Sequence, residues 1–81
     1  MNLLASAPKF AILAPMNITL NGAVRAIADK CTVKGLLDSL KLLPSAVAVE
    51  LNLDIVPKKQ YDKITLKEGD KIEIISFVGG G

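Results

Sequence analysis

The chain has 81 residues, with ten Lys plus Arg against eight Asp plus Glu and a 51% hydrophobic share. That length holds one small domain, and so apolar a chain with a net charge of +2 excludes disorder as the main state. With no histidine and one cysteine, Cys31, the chain cannot build a Cys/His zinc site, an internal Ser-His-Asp triad or an intrachain disulfide.

A lone cysteine fits a reducing compartment, so a cytoplasmic location is expected. The lysines are scattered from Lys9 to Lys71, and the aromatics are Phe10, Tyr61 and Phe77. That pattern lacks the basic stripe and stacking platform of a nucleic-acid binder. No apolar run approaches the roughly 18 residues of a membrane span, so neither nucleic acid nor membrane is expected as a partner.

Residues 1–15 are Ala/Leu-rich, and Lys9 and Pro8 split their apolar stretch, which argues against a secretory signal. They are expected to be a flexible N-terminal extension on a domain spanning 16–81. Met16 to Leu20 alternates apolar and polar with period two, as a half-buried strand does. Asn21-Gly22 is a hairpin signal, because both residues tolerate positive φ. Ala23 to Ile27 returns as a second strand of uncertain register.

Thr32 predicts the N-cap of a helix running to about Leu42. Val33, Leu36, Leu37 and Leu40 form its apolar stripe, and Lys34, Asp38 and Lys41 its solvated face. Gly35 inside that helix suggests a close backbone approach. Cys31, at the helix start, reads as structural, although a helix dipole there could lower its pKa.

Val47 to Leu51 predicts a third strand, Asn52-Leu53-Asp54 a turn, and Ile55-Val56 a brief fourth strand stopped by Pro57. Residues 58–67 read as a loop or short helical turn anchored by Tyr61, Ile64 and Leu66. Lys58, Lys59 and Lys63 read as its solvated face, with an acidic partner surface as the alternative. Glu68-Gly69-Asp70 is a turn, and Lys71 to Val78 is the last strand, with Ile72, Ile74 and Ser76 on one face.

The order β-β-α-β-β-β predicts an α+β, β-grasp fold: a mixed sheet of four to five strands packed on one helix, the last strand central and parallel to the first. Another small α+β roll suits the local pattern as well.

The sequence then reaches Gly79-Gly80-Gly81. Such a tail has no side chain to bury and a high ordering entropy, so it cannot hold the fold together. It does suit threading through a narrow channel, and four residues past Phe77 reach at most about 13–14 Å. The chemistry expected there is that of the Gly81 α-carboxylate, which ATP can convert to an acyl-adenylate and a sulfur nucleophile to a thiocarboxylate. A frayed end is the bland alternative.

From Met16 to Gly81 the sequence resembles the ThiS family of ubiquitin-like sulfur carriers in thiamin biosynthesis. The resemblance is carried by Met16-Asn17-Ile18, Asn21-Gly22, Thr32-Val33 with Leu36-Leu37, Val47-Ala48-Val49-Glu50 with Asn52, and Ile55-Val56-Pro57. It continues through Glu68-Gly69-Asp70 and Ile74-Ile75-Ser76-Phe77-Val78 into the glycines. The family often carries glycine after the asparagine of the middle hairpin, where Leu53 stands here, and the extension is foreign to its pattern.

The resemblance implies a carrier co-substrate, not a catalyst. An E1-like, ThiF-type adenylyltransferase would use ATP to activate Gly81, with Gly79 and Gly80 threading into it. A cysteine-desulfurase persulfide would supply sulfur, and a ThiG-type thiazole synthase would take it; no cofactor or metal would be bound. Docking by a sheet face is expected, with Phe77 and Val78 as partner-binding candidates. The alternatives are a molybdopterin-synthase small subunit with the same terminal chemistry, and a ubiquitin-like modifier or interaction module.

Overall fold

The structure, a computed structural model, describes residues 15–77. The predicted extension, apart from Pro15, lies outside the described residues, as do Val78 and Gly79-Gly80-Gly81.

Five strands form one mixed sheet: β1 (Met16–Leu20), β2 (Ala23–Ile27), β3 (Val47–Leu51), β4 (Asp54–Ile55) and β5 (Lys71–Ser76), in the order β2-β1-β5-β3-β4. β5 is central, parallel to β1 and antiparallel to β3, as the strand order predicts. Both hairpins turn through two residues of positive φ: Asn21 (49°) with Gly22 (86°), and Asn52 (51°) with Leu53 (77°). The second turn therefore keeps a left-handed backbone although leucine occupies its second position.

Helix α1 (Val33–Ser39) packs on one sheet face. It is shorter than the heptad-like stripe suggests, because Leu40 caps it and Lys41 takes φ 60°. Lys41 therefore lies beyond the helix, not on its solvated face.

The first N–H groups of a helix lack intrahelical partners. Here Val33 N donates to Ile64 O (3.0 Å) and Lys34 N to Tyr61 O (2.8 Å), both in the 58–67 segment. Gly35 N donates to Thr32 Oγ1 at 3.0 Å, the predicted cap. A Cβ at Gly35 would meet Cys31 Sγ at 3.3 Å and Thr32 Oγ1 at 3.4 Å, so the capping side chains, not a neighbouring backbone, crowd that position.

The core joins Ile18, Val49 and Ile72 of the sheet to Val33, Leu36 and Leu37 of the helix, closed by Val56, Tyr61 and Leu66. Val56 lies just past β4 yet still donates its N–H to Val49 O at 2.9 Å. Of the three predicted loop anchors, Tyr61 and Leu66 are buried and Ile64 is partly so.

Candidate functional site at the root of the glycine tail

The strand that leads to the glycines is held from both sides. On one side β3 pairs with it from Val47↔Ser76 to Leu51↔Ile72. Phe77 N extends that ladder by one bond, to Ala46 O at 2.8 Å. On the other side β1 reaches only as far as Leu20↔Ile72. Asn21 continues where β1 stops: its N–H donates to Ile72 O (2.8 Å), its Oδ1 accepts from Ile74 N (2.7 Å), and its Nδ2 donates to Ile74 O (3.2 Å). One amide side chain thus replaces a strand residue, satisfying both backbone groups of Ile74.

A second asparagine holds the start of β5. Asn52 N donates to Lys71 O (2.7 Å), Asn52 Oδ1 accepts from Lys71 N (2.9 Å), and Asn52 Nδ2 donates to Asp70 Oδ1 (3.0 Å). The Glu68-Gly69-Asp70 turn is also tied to β1, since Asn17 N donates to Glu68 Oε1 and Thr19 N to Asp70 O, each at 2.9 Å. The strand feeding the tail is therefore fixed in register at both ends.

The sheet face away from the helix carries alternate residues of each strand. On β5 these include Glu73 and Ile75, facing Glu50 and Ala48 of β3. Ile55 of β4 pairs with Glu50. Ile75 is 57% and Ile55 76% exposed, and Phe77 is 54% exposed at the strand's end. Of the predicted partner-binding pair, Phe77 lies beside this face, and Val78 is outside the described residues. The tail positions Gly79, Gly80 and Gly81 are outside them too.

Lys58 does not join Lys59 on a merely solvated face. Its Nζ donates to Val47 O at 2.6 Å and lies 5.8 Å from the Phe77 ring centre and 5.9 Å from that of Tyr61. Its four-carbon stem spans the gap between the 58–67 segment and the end of β3. The Cys31 thiol donates to Thr32 O at 3.3 Å, and burial pushes its pKa up from the ordinary 9.0. That is the opposite of the lowering a helix dipole would give. Among the described residues, no group of three or more Cys, Asp or Glu could hold a metal ion. Nor is any helix there long and apolar enough to cross a membrane.

A β-grasp sheet whose central strand runs into glycines has close counterparts. The ThiS family profile matches residues 18–81. The chain belongs to the ThiS family. A sulfur carrier protein ThiS of Bacillus subtilis is 42% identical over 65 residues, covering 79% of this chain and 98% of that protein. The crystal structure of the thiamine biosynthesis protein ThiS from Geobacter metallireducens superposes with a TM-score of 0.70 at 38% identity. That match covers 82% of this chain and all of that one.

A thiazole synthase of Paramagnetospirillum magneticum is 44% identical over 66 residues, 82% of this chain. The chain spans only 20% of that protein's length. As in the solved ThiS, the described residues form a β-grasp, with a helix packed on a mixed sheet. The sequence marks Asn21 and Asn52 only as turn residues, and Lys58 only as part of a solvated face or of a contact for an acidic partner, not as a residue that braces the end of β3. The sequence signals were the hairpin preference of Asn21-Gly22, the Asn52-Leu53-Asp54 turn, and the position of Lys58 one residue past the Pro57 stop.

Proposed function

We propose that the chain is a sulfur carrier for the thiazole ring of thiamin, with the Gly81 carboxylate as the group that carries sulfur. The observation that supports this most is the path of β5. The strand anchored on both sides is followed in sequence by Phe77, Val78 and three glycines that a ThiS-family profile includes. A firmly held root with a side-chain-free extension suits insertion into a deep, narrow site.

A Gly81 carboxylate oxygen attacks the α-phosphorus of ATP, and pyrophosphate leaves. A sulfur nucleophile then attacks the acyl carbon, a C–S bond forms, and AMP departs with the former carboxylate oxygen. If the nucleophile is a persulfide, a thiol supplies the two electrons that cleave the S–S bond. The carrier contributes no catalytic side chain to these steps; its partners are an E1-like adenylyltransferase, a persulfide donor and a thiazole synthase. The similarity to one-fifth of a thiazole synthase supports that last acceptor over molybdopterin synthase.

The test is intact-mass spectrometry after incubation with ATP, a sulfur donor and the adenylating enzyme. One oxygen replaced by sulfur is the expected result. Replacing Gly80 by valine should suppress that change, because a branched Cβ restricts φ and widens the tail. An unchanged mass for the wild-type chain with a demonstrably active enzyme would overturn the carrier reading.

A further inference from the structure

One cation, Lys58, is drawn back onto the sheet. Lys58 lies on a short 3-10 turn, Lys58–Gln60, outside the sheet. A lysine there could extend into water, keeping its ammonium hydrated and its side-chain entropy. Instead its Nζ reaches back to the end of β3, bonding Val47 O at 2.6 Å. From there it lies within cation–π range of Phe77, at 5.8 Å.

Val47 pairs with Ser76, and Phe77 N bonds Ala46 O at 2.8 Å. The ammonium therefore bonds the backbone of one strand at its last rung and lies within cation–π range of the ring that follows the other. Phe77 is 54% exposed, so the core holds its ring only in part, and the Lys58 ammonium 5.8 Å from its centre lies on the exposed side of the molecule with it.

We propose that Lys58 is a positioning residue for the tail: by holding Val47 O and the Phe77 ring together, it sets the direction in which the chain leaves β5. The inference rests on the carrier reading. Its consequence is specific to turnover. A partner that grips the sheet face binds the carrier whether or not the root is clamped. Only the fraction of bound carriers with a correctly aimed tail reacts, since small misplacements of a reacting group lower rates steeply.

The experiment uses the full chain, ATP and the adenylating enzyme, with pyrophosphate release followed against carrier concentration. Lys58→Met keeps the apolar stem and removes the ammonium. It should lower kcat about tenfold with KM and melting temperature near wild type. Lys58→Arg, which keeps a donor and a cation, should restore most of the rate. Amide exchange at Phe77 should quicken in the methionine variant only. If that variant melts early, Lys58→Gln, which retains a donor without charge, serves in its place.

Wild-type kcat in Lys58→Met overturns the proposal. So does equal loss in Lys58→Arg, and so does a raised KM at unchanged kcat, which would make Lys58 a docking contact. Failure of the carrier reading looks different: the wild-type chain itself would release no pyrophosphate.

Discussion

Glu50 and Glu73 stand directly opposite each other on β3 and β5, on the face the helix leaves open. Both are partly buried, and the only salt bridge among the described residues, Lys34–Asp38, lies elsewhere on the helix. Like charges placed opposite in a sheet repel, while opposite charges there contribute roughly 0.2–1 kcal/mol. Glu73→Lys should therefore raise stability by about 0.5 kcal/mol, read as a higher urea midpoint with an unchanged slope. A lower midpoint would show that the two carboxylates are kept apart by their rotamers.

Leu53 turns with φ 77° while 78% exposed, so its side chain adds strain and little packing. The left-handed conformation costs a Cβ-bearing residue roughly 1–2 kcal/mol, partly offset in glycine by the entropy it loses on ordering. Leu53→Gly should stabilise the chain by about 0.5–1 kcal/mol. Denaturant melts decide it, and a loss of stability would mean that the leucine is held by contacts at the hairpin tip.

Asn21 serves both its turn and β5, and two substitutions separate the roles. Asn21→Gly keeps the positive φ but leaves Ile74 N and O without their partner, and should cost about 1–2 kcal/mol. Asn21→Asp keeps the acceptor for Ile74 N but sets a carboxylate oxygen against Ile74 O, so the Ile74 N–H stays bonded while its carbonyl loses its donor. Hydrogen exchange at the Ile74 amide should speed up markedly in the glycine variant and little in the aspartate variant.

Burial raises the pKa of Cys31 from 9.0 and that of Tyr61 from 10.0, the latter against a smaller opposing effect of the Val49 backbone. Each raised value means that the folded chain keeps a proton that the unfolded chain releases first. The stabilisation from these two groups is whole below about pH 9 and is lost as pH rises through the folded values. Melting temperature should stay level through neutrality and fall on the alkaline side. The fall should be shallower in Cys31→Ala than in the parent chain.

Much of the architecture was readable from local signals. Period-two alternation marked β1, Asn21-Gly22 marked the first turn, and Thr32 marked the start of α1, each through interactions within a few residues. The end of α1 was misread because Leu40 and Leu42 continue an apolar stripe whose backbone has already turned at Lys41. The duties of Asn21 and Lys58 were invisible for another reason: their partners lie 53 and 11 positions away. No spacing rule reports a bond that exists only once the sheet has closed. The tail, by contrast, could be read because an absence of side chains is itself a local property.

The central place of β5 also sets the order in which the molecule can be built. The β1–β2 and β3–β4 hairpins are each local in sequence, and among the described residues their backbones are joined through β5. Their union needs partners such as Asn21 and Ile74, 53 residues apart, and such distant pairings are slow to find. Synthesis proceeds from the N-terminus, so the strand that locks the two halves is the last of the five to be made. Folding of the domain is therefore gated by the segment beside the tail, and a chain interrupted before Lys71 has two hairpins and no sheet to join them.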